Sequence, residues 1–136
     1  MMQSKQELQK QDRKGAAVAE LAICLPAIVL LVMGAIECCS MIFLRQSLHI
    51  TAYEGVRVAI KENTDSTQVW NRCQRVLSER GINDSAIVIS PAETEFQARG
   101  TPISVQVTAP CSSNNALPLQ FFGSQQMSAT ATMVKE

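Results

Sequence analysis

An uninterrupted apolar run limits how this chain can fold more than any other feature. Between Glu20 and Glu37 no residue is charged, and Ala, Leu, Ile and Val fill nearly every position. A bilayer core of about 30 Å needs roughly 20 apolar residues in a helix, because each residue adds about 1.5 Å. A buried helix of a soluble domain usually carries a polar face, and none occurs over residues 21–36. The run therefore predicts a transmembrane helix over residues 16–44.

Charges next to this run predict its orientation. Residues 1–14 contain four basic and two acidic side chains, and basic flanks stay on the cytoplasmic side. This segment has too little apolar surface to fold by itself, so residues 1–15 are predicted to be a cytoplasmic leader. We expect a single-pass protein of the cell (inner) membrane whose chain beyond Leu44 is exported. The formal net charge is zero, which argues against a nucleic-acid partner.

The cysteines divide by compartment. Three of them, Cys24, Cys38 and Cys39, lie in the apolar run, where a thiol behaves as a small hydrophobe. Cys73 and Cys111 would be exported, and disulfides persist outside the cytoplasm. These two could form a disulfide, stay free, or pair with another subunit. With no CxxC motif and a single histidine, neither a metal site nor a cofactor is predicted.

A junction in front of the apolar run could be a processing site. A secretory signal would have small residues after its apolar region, and residues 33–37 (MGAIE) do not fit. Arg13 and Lys14 precede Gly15, and Glu20 is the fifth residue counted from Ala16. This arrangement resembles class III (type IV-like) prepilins. The resemblance implies cleavage between Gly15 and Ala16, and assembly guided by Glu20 meeting the new amine of a neighbour.

Further residues narrow the resemblance to one family. Its members combine Gly-x4-Glu with a Leu-Pro inside the apolar run, a second glutamate, and an amphipathic Glu-Gly-x-Arg-x-Ala stretch. The corresponding positions here are Gly15 and Glu20, Leu25-Pro26, Glu37, and residues 54–59 (EGVRVA). The chain is thus similar to TadE-like proteins of tight-adherence (Flp) pilus systems, although CCS at 38–40 replaces the usual Phe-Gly-Arg. The similarity implies a pseudopilin or minor pilin used in pilus assembly or secretion.

The segment after the apolar run predicts an amphipathic extension over residues 45–62. Apolar residues recur there at every fourth position: Leu44, Leu48, Ala52, Val56 and Ile60. Glu54 and Arg57 are three apart and can pair. Glu37 lies about 25 Å along the helix from Glu20. Two interpretations of Glu37 remain open, namely a partly hydrated carboxylate near the outer headgroups or a contact to a partner helix.

Residues 63–136 predict a small exported α+β domain. A capping cluster at 63–67 begins a helix of about fourteen residues that stops at Gly81. Three β-rich runs follow at 86–90, 102–109 and 127–134. A long loop at 110–126 carries Leu117, Leu119, Phe121 and Phe122, which are predicted to enter the core. We expect a pilin-like head in which one helix covers a three-stranded antiparallel sheet.

Two functions fit these features. The first is a TadE-like pseudopilin that a prepilin peptidase processes and that contacts lipid and other pilin-like or Tad assembly subunits. The second is an uncleaved single-pass anchor with a small exported interaction domain, which differs only in the fate of residues 1–15. An enzyme is not expected, because no catalytic triad, Cys-His pair or phosphate-binding loop can be assembled. No small-molecule substrate is therefore predicted.

Overall fold

The computed structural model describes residues 2–116 and 124–136, with side chains from Gly15 onward. Its elements are α1 (Met2–Ala59), α2 (Ser66–Glu79), β1 (Ala86–Ser90), β2 (Pro102–Pro110) and β3 (Gln126–Val134). This order confirms the predicted α+β fold, with a long apolar helix, a second helix and a three-stranded antiparallel sheet. The predicted core residues Leu117, Leu119, Phe121 and Phe122 lie outside the described residues.

Helix α1 is 58 residues long and contains Pro26. It begins at Met2, so the leader that was predicted to lack structure is helical. The reason is local, since residues 2–14 contain neither Gly nor Pro and are rich in Gln and Lys, which favour helices. The chain divides into two compact units, Met1–Ile36 and Glu37–Glu136. The second is called the C-terminal unit below.

The core of the C-terminal unit lies between the helices and the sheet. Helix α1 contributes the predicted apolar row, of which Leu44, Leu48, Ala52 and Val56 are buried. Helix α2 is 14 residues long, as predicted, and its buried residues are Val69, Cys73, Val76 and Leu77. It ends before Gly81, whose φ of 66° is a left-handed conformation that glycine adopts without steric cost. The helical spacing in the sequence therefore identified the faces that pack.

The sheet has the strand order β1-β2-β3, and both strand pairs are antiparallel. Val105 of the central strand pairs with Ile89 on one side and Ala131 on the other. Alternate residues of β2 point into the core, namely Ile103, Val105, Val107 and Ala109. The positions between them are Ser104, Gln106 and Thr108. This alternation is typical of a sheet with one packed face and one exposed face.

A buried lysine near the C-terminus holds the segment that connects β1 and β2. The Lys135 Nζ donates a hydrogen bond to the Thr94 carbonyl at 2.6 Å. The Thr94 hydroxyl in turn donates to the Thr64 carbonyl at 2.7 Å, and both residues are buried. The backbone of Lys135 is also bonded on both sides, since its carbonyl accepts from Gly100 N–H and its N–H donates to Thr101. Lys135 thus fixes this connection to the end of the chain.

We expect Lys135→Met to loosen the β1–β2 connection. The methionine keeps the apolar stem but leaves the buried Thr94 carbonyl without its donor, which costs about 1 kcal/mol or more. The side chain of Arg99, in this connection, is 78% exposed. Trypsin should cut after Arg99 about fivefold faster in the variant, because a loss of about 1 kcal/mol raises the population of the open connection roughly fivefold. Lys61→Met, at an exposed lysine, is the matched control. An unchanged cleavage rate would contradict this role of Lys135.

Candidate functional site

The predicted processing residues lie together on the apolar part of α1. Gly15, Ala16 and Glu20 are all helical and exposed. A Cβ added to Gly15 would meet no atom within 4 Å. Ala16 and Glu20 are four residues apart, so they lie on one face of the helix, one turn from each other. The structure therefore leaves all three residues accessible, with Ala16 and Glu20 on one face.

This arrangement defines what Glu20 can do chemically. A cut after Gly15 would leave a positively charged amine on Ala16, one helical turn from the Glu20 carboxylate. A carboxylate in an apolar medium is costly unless a cation compensates it. A glutamate in the first turn also stabilises a helix N-terminus. Glu20 can therefore compensate the amine of its own chain or that of a neighbouring chain.

The apolar side chains around these residues are exposed rather than packed. Among the described residues, the helical stretch Gly15–Ala59 is long and apolar enough to cross a membrane. Its large exposed apolar residues before Glu37 are Val18, Leu21, Ile23, Leu25, Ile28, Val29, Leu30, Leu31, Val32 and Ile36. Exposed apolar surface of this extent marks a membrane or protein contact. The predicted transmembrane helix thus has the apolar surface that such a contact requires.

The environment of Glu37 in the structure matches neither of the two predicted environments. Its side chain is only 1% exposed, so it is not a hydrated carboxylate. Asn115 Nδ2 donates a hydrogen bond to its Oε1 at 3.4 Å, so its described partner belongs to its own chain. The two residues are 78 positions apart, and no local pattern could have paired them. Glu37 thus contacts the C-terminal unit to which it belongs.

The Glu-Gly-x-Arg-x-Ala stretch packs α1 against the other elements. Arg57 Nη1 lies 3.8 Å from Glu54 Oε1, as predicted, but Arg72 Nη2 of α2 is closer to Glu54 at 2.9 Å. A Cβ added to Gly55 would lie 2.5 Å from Cys73 Sγ and 3.2 Å from Val105 Cγ1. No local pattern in the sequence identifies Arg72 or Cys73 as neighbours of this stretch. This motif therefore serves helix–helix and helix–sheet contact.

Cys73 and Cys111 are free and buried. Burial raises the pKa of Cys73 to about 11, against the opposing positive charge of Arg72, and burial also raises the pKa of Cys111. A Cβ at Gly55 would contact both Cys73 and Val105, so these two residues are close to each other. Cys111 follows Val105 by six residues, which is about 20 Å along a strand. A disulfide needs Cα atoms roughly 4.4–6.8 Å apart. Of the three alternatives that the sequence left open, the geometry therefore argues against a disulfide within one subunit.

The described residues contain no group of three or more His, Cys, Asp or Glu side chains that could hold a metal ion. An open groove does lie between α2 and β1, and it is lined by Ser66, Thr67, Trp70, Ile87, Ile89 and Ala92. Its lining is hydroxyl and apolar, without a pair of titratable groups. Among the described residues, the apolar surface of α1 with Gly15, Ala16 and Glu20 is thus the stronger candidate site.

Comparison with known families agrees with this location. Residues 15–57 match the model of the family described as TadE-like protein. The match begins at Gly15 and ends at Arg57, so it includes Glu20, Leu25-Pro26, Glu37 and the first four residues of the Glu-Gly-x-Arg-x-Ala stretch. The searches of curated proteins and of solved structures found no match. The segment from residue 15 to residue 57 is therefore TadE-like, which confirms the family resemblance drawn from the sequence.

Proposed function

We propose that this protein is a TadE-like pseudopilin or minor pilin, a single-pass membrane subunit for Tad/Flp-type pilus assembly or secretion. One observation carries the proposal. The TadE-like match covers residues 15–57, which lie within the helical stretch that is long and apolar enough to cross a membrane. The TadE-like family is structural rather than enzymatic, which favours a subunit over a catalyst.

In the proposed cycle, the chain is stored in the inner membrane with residues 1–15 in the cytoplasm and the chain beyond Leu44 outside. A prepilin peptidase cuts between Gly15 and Ala16, and α1 stays in the product as the anchor. Glu20 then compensates the amine of a neighbouring subunit. Because an unpaired buried charge is strongly unfavourable, this pairing would fix the stagger of adjacent helices. The partners are lipid, the peptidase and other pilin-like or Tad subunits.

A second candidate uses the same helix without processing. In it, the chain is a permanent single-pass anchor for a small interaction domain. A Cβ at Gly15 would meet no atom within 4 Å, and this accessibility is compatible with either candidate. The two differ in one measurable quantity, the first residue of the chain in its native membrane.

Intact mass and N-terminal sequencing of the membrane-extracted protein test the proposal. We expect the chain to start at Ala16, and Gly15→Leu to leave it starting at the initiator methionine, since the bulky side chain fills the position before the cut. Gly34→Leu is the matched control, because a Cβ at Gly34 also meets nothing within 4 Å. Processing of the Gly34 variant should be normal.

Other results have distinct meanings. An uncut wild-type chain in the membrane would replace the pseudopilin proposal by the uncleaved anchor. A chain starting after residue 33 would mean that the apolar helix is a discarded signal, which would overturn both candidates.

A further inference from the structure

A second face of α1, outside the core, carries a regular apolar row in the C-terminal unit. Cys39, Phe43, Gln46, Ile50 and Tyr53 follow one another at alternating steps of four and three residues, and all are exposed. We call this row the outer stripe. Phe43, Ile50 and Tyr53 are 49%, 41% and 51% exposed, respectively. The opposite face of the same helix, with Leu44, Leu48 and Ala52, is already buried in the core.

We infer that the outer stripe is the surface on which two copies of this chain pair in parallel. The inference rests on the proposed function, because both copies must be anchored in one membrane through the same end of α1. An average spacing of 3.5 residues keeps a row facing a second helix, whereas a surface that only contacts lipid requires no such repeat.

The composition of the stripe favours a helix over lipid as the occupant. No charged residue lies within it from Cys39 to Tyr53, whereas Arg45 and His49 flank one side and Glu54 flanks the other. Gln46, Ile50 and Tyr53 follow Leu44, where the predicted membrane helix ends, so lipid is not expected to cover them. In a parallel pair, Gln46 faces Gln46 of the other copy. A single polar residue in such a seam sets register at some cost in stability.

Charge complementarity supports a parallel pair of identical chains. In a parallel seam, a residue just before one core position lies near the residue five positions later on the partner helix. His49 and Glu54 stand in this relation. Glu54 already pairs with Arg72 of its own chain at 2.9 Å, but its side chain is still 24% exposed. The imidazole of one copy would therefore donate a second hydrogen bond to the carboxylate of the other, and the symmetry of the pair would form this contact twice.

Membrane anchoring is needed because the outer stripe is small. A stable soluble interface buries roughly 800 Å² on each partner, and one aromatic side chain contributes about 150–250 Å². Three large side chains that are each about half exposed fall short of this area. Tethering in one bilayer raises the effective concentration and removes part of the cost of association.

Adjacent cysteines provide a matched test. Neighbouring residues of a helix point about 100° apart, so Cys39 lies on the outer stripe and Cys38 does not, although both are exposed. In native membranes of a Cys24→Ala chain treated with copper phenanthroline, we expect Cys38→Ser to keep a disulfide-linked dimer. We expect Cys39→Ser to lose it.

A second set of positions checks the repeat without using Cys38 or Cys39. In a chain where both are serine, Gln46→Cys and Ile50→Cys should restore the dimer, and Arg45→Cys should not. Phe43→Glu should abolish cross-linking through Cys39, whereas Arg45→Glu should leave it intact. The urea midpoint of Trp70 fluorescence should stay unchanged in both glutamate variants, because both positions are exposed.

Each remaining outcome is decisive when N-terminal mass is measured on the same membranes. Suppose that the chain is embedded in the membrane and starts at Ala16. Equal cross-linking through Cys38 and Cys39, no cross-linking, or cross-linking only to a protein of another mass would then overturn this inference but not the proposed function. A chain missing from the membrane fraction would overturn the proposed function and this inference with it.

Discussion

Replacing Gly55 by valine is expected to destabilise the C-terminal unit by about 3 kcal/mol, and replacing it by alanine by about 1–2 kcal/mol. A Cβ at this position would lie 2.5 Å from Cys73 Sγ and 3.2 Å from Val105 Cγ1. Both neighbours are fully buried, so neither can move into solvent. Alanine favours a helix by about 1 kcal/mol over glycine, which offsets part of the clash. Urea unfolding of the full chain in detergent micelles, followed by Trp70 fluorescence, measures the loss.

Cys73, with which the new Cβ would clash, provides the control substitution. Cys73→Ala removes the sulfur that lies closest to the new Cβ, so in this background Gly55→Ala should be neutral or slightly stabilising. The two substitutions would then show a coupling energy of at least about 1 kcal/mol, as expected for residues in direct contact. Additive effects would mean that Gly55 is required for some reason other than its approach to Cys73.

This close contact illustrates what the sequence could predict and what it could not. The spacing of Leu44, Leu48, Ala52 and Val56 identified the packed face of α1, because periodicity alone decides which side chains share a face. The length of α2 and the alternation in β2 were also predicted from local sequence patterns. No local pattern, however, marks Gly55 as a point of close contact. Its importance depends on how closely α2 and β2 approach α1.

The contacts missed by the sequence join residues that are distant along the chain. Glu54 and Arg57 are three apart and could be paired by rule, whereas the closer partner, Arg72, is 18 residues away. Glu37 and Asn115 are farther apart still. The sequence left the Cys73–Cys111 disulfide open for a related reason, because the element on which each cysteine lies does not specify its position along that element.

The residues of the candidate site, in contrast to these distant contacts, could be proposed from the sequence. Gly15, Ala16 and Glu20 were identified from sequence because their relation is local, with four residues making one helical turn. The outer stripe is equally local in spacing, yet it was not recognised as a second apolar row. The structure buries Leu44, Leu48 and Ala52 in the core and leaves this second row as the exposed apolar face of the same helix.

Cys73 is expected to make the stability of the C-terminal unit fall steeply in alkaline solution. Burial raises its pKa from 9.0 to about 11, so between these values the unfolded chain loses a proton that the folded chain keeps. Stabilisation by the neutral thiol is complete below pH 9.0 and is lost as the pH rises toward about 11. Two pKa units correspond to about 2–3 kcal/mol. Urea unfolding at pH 8 and pH 11 measures the change.

Comparison with Cys73→Ala separates this effect from the titration of Lys, Tyr and Cys111, which both proteins share. The alanine variant loses the thiol that hydrogen-bonds the Thr51 carbonyl at 3.8 Å and leaves a small cavity, so it should be the less stable protein at pH 8. Its deficit should shrink or reverse by pH 11, because only the wild type must then keep a buried thiol protonated. A deficit that is constant with pH would show that Cys73 does not titrate as a free thiol, and would favour the disulfide with Cys111 that the packing argues against.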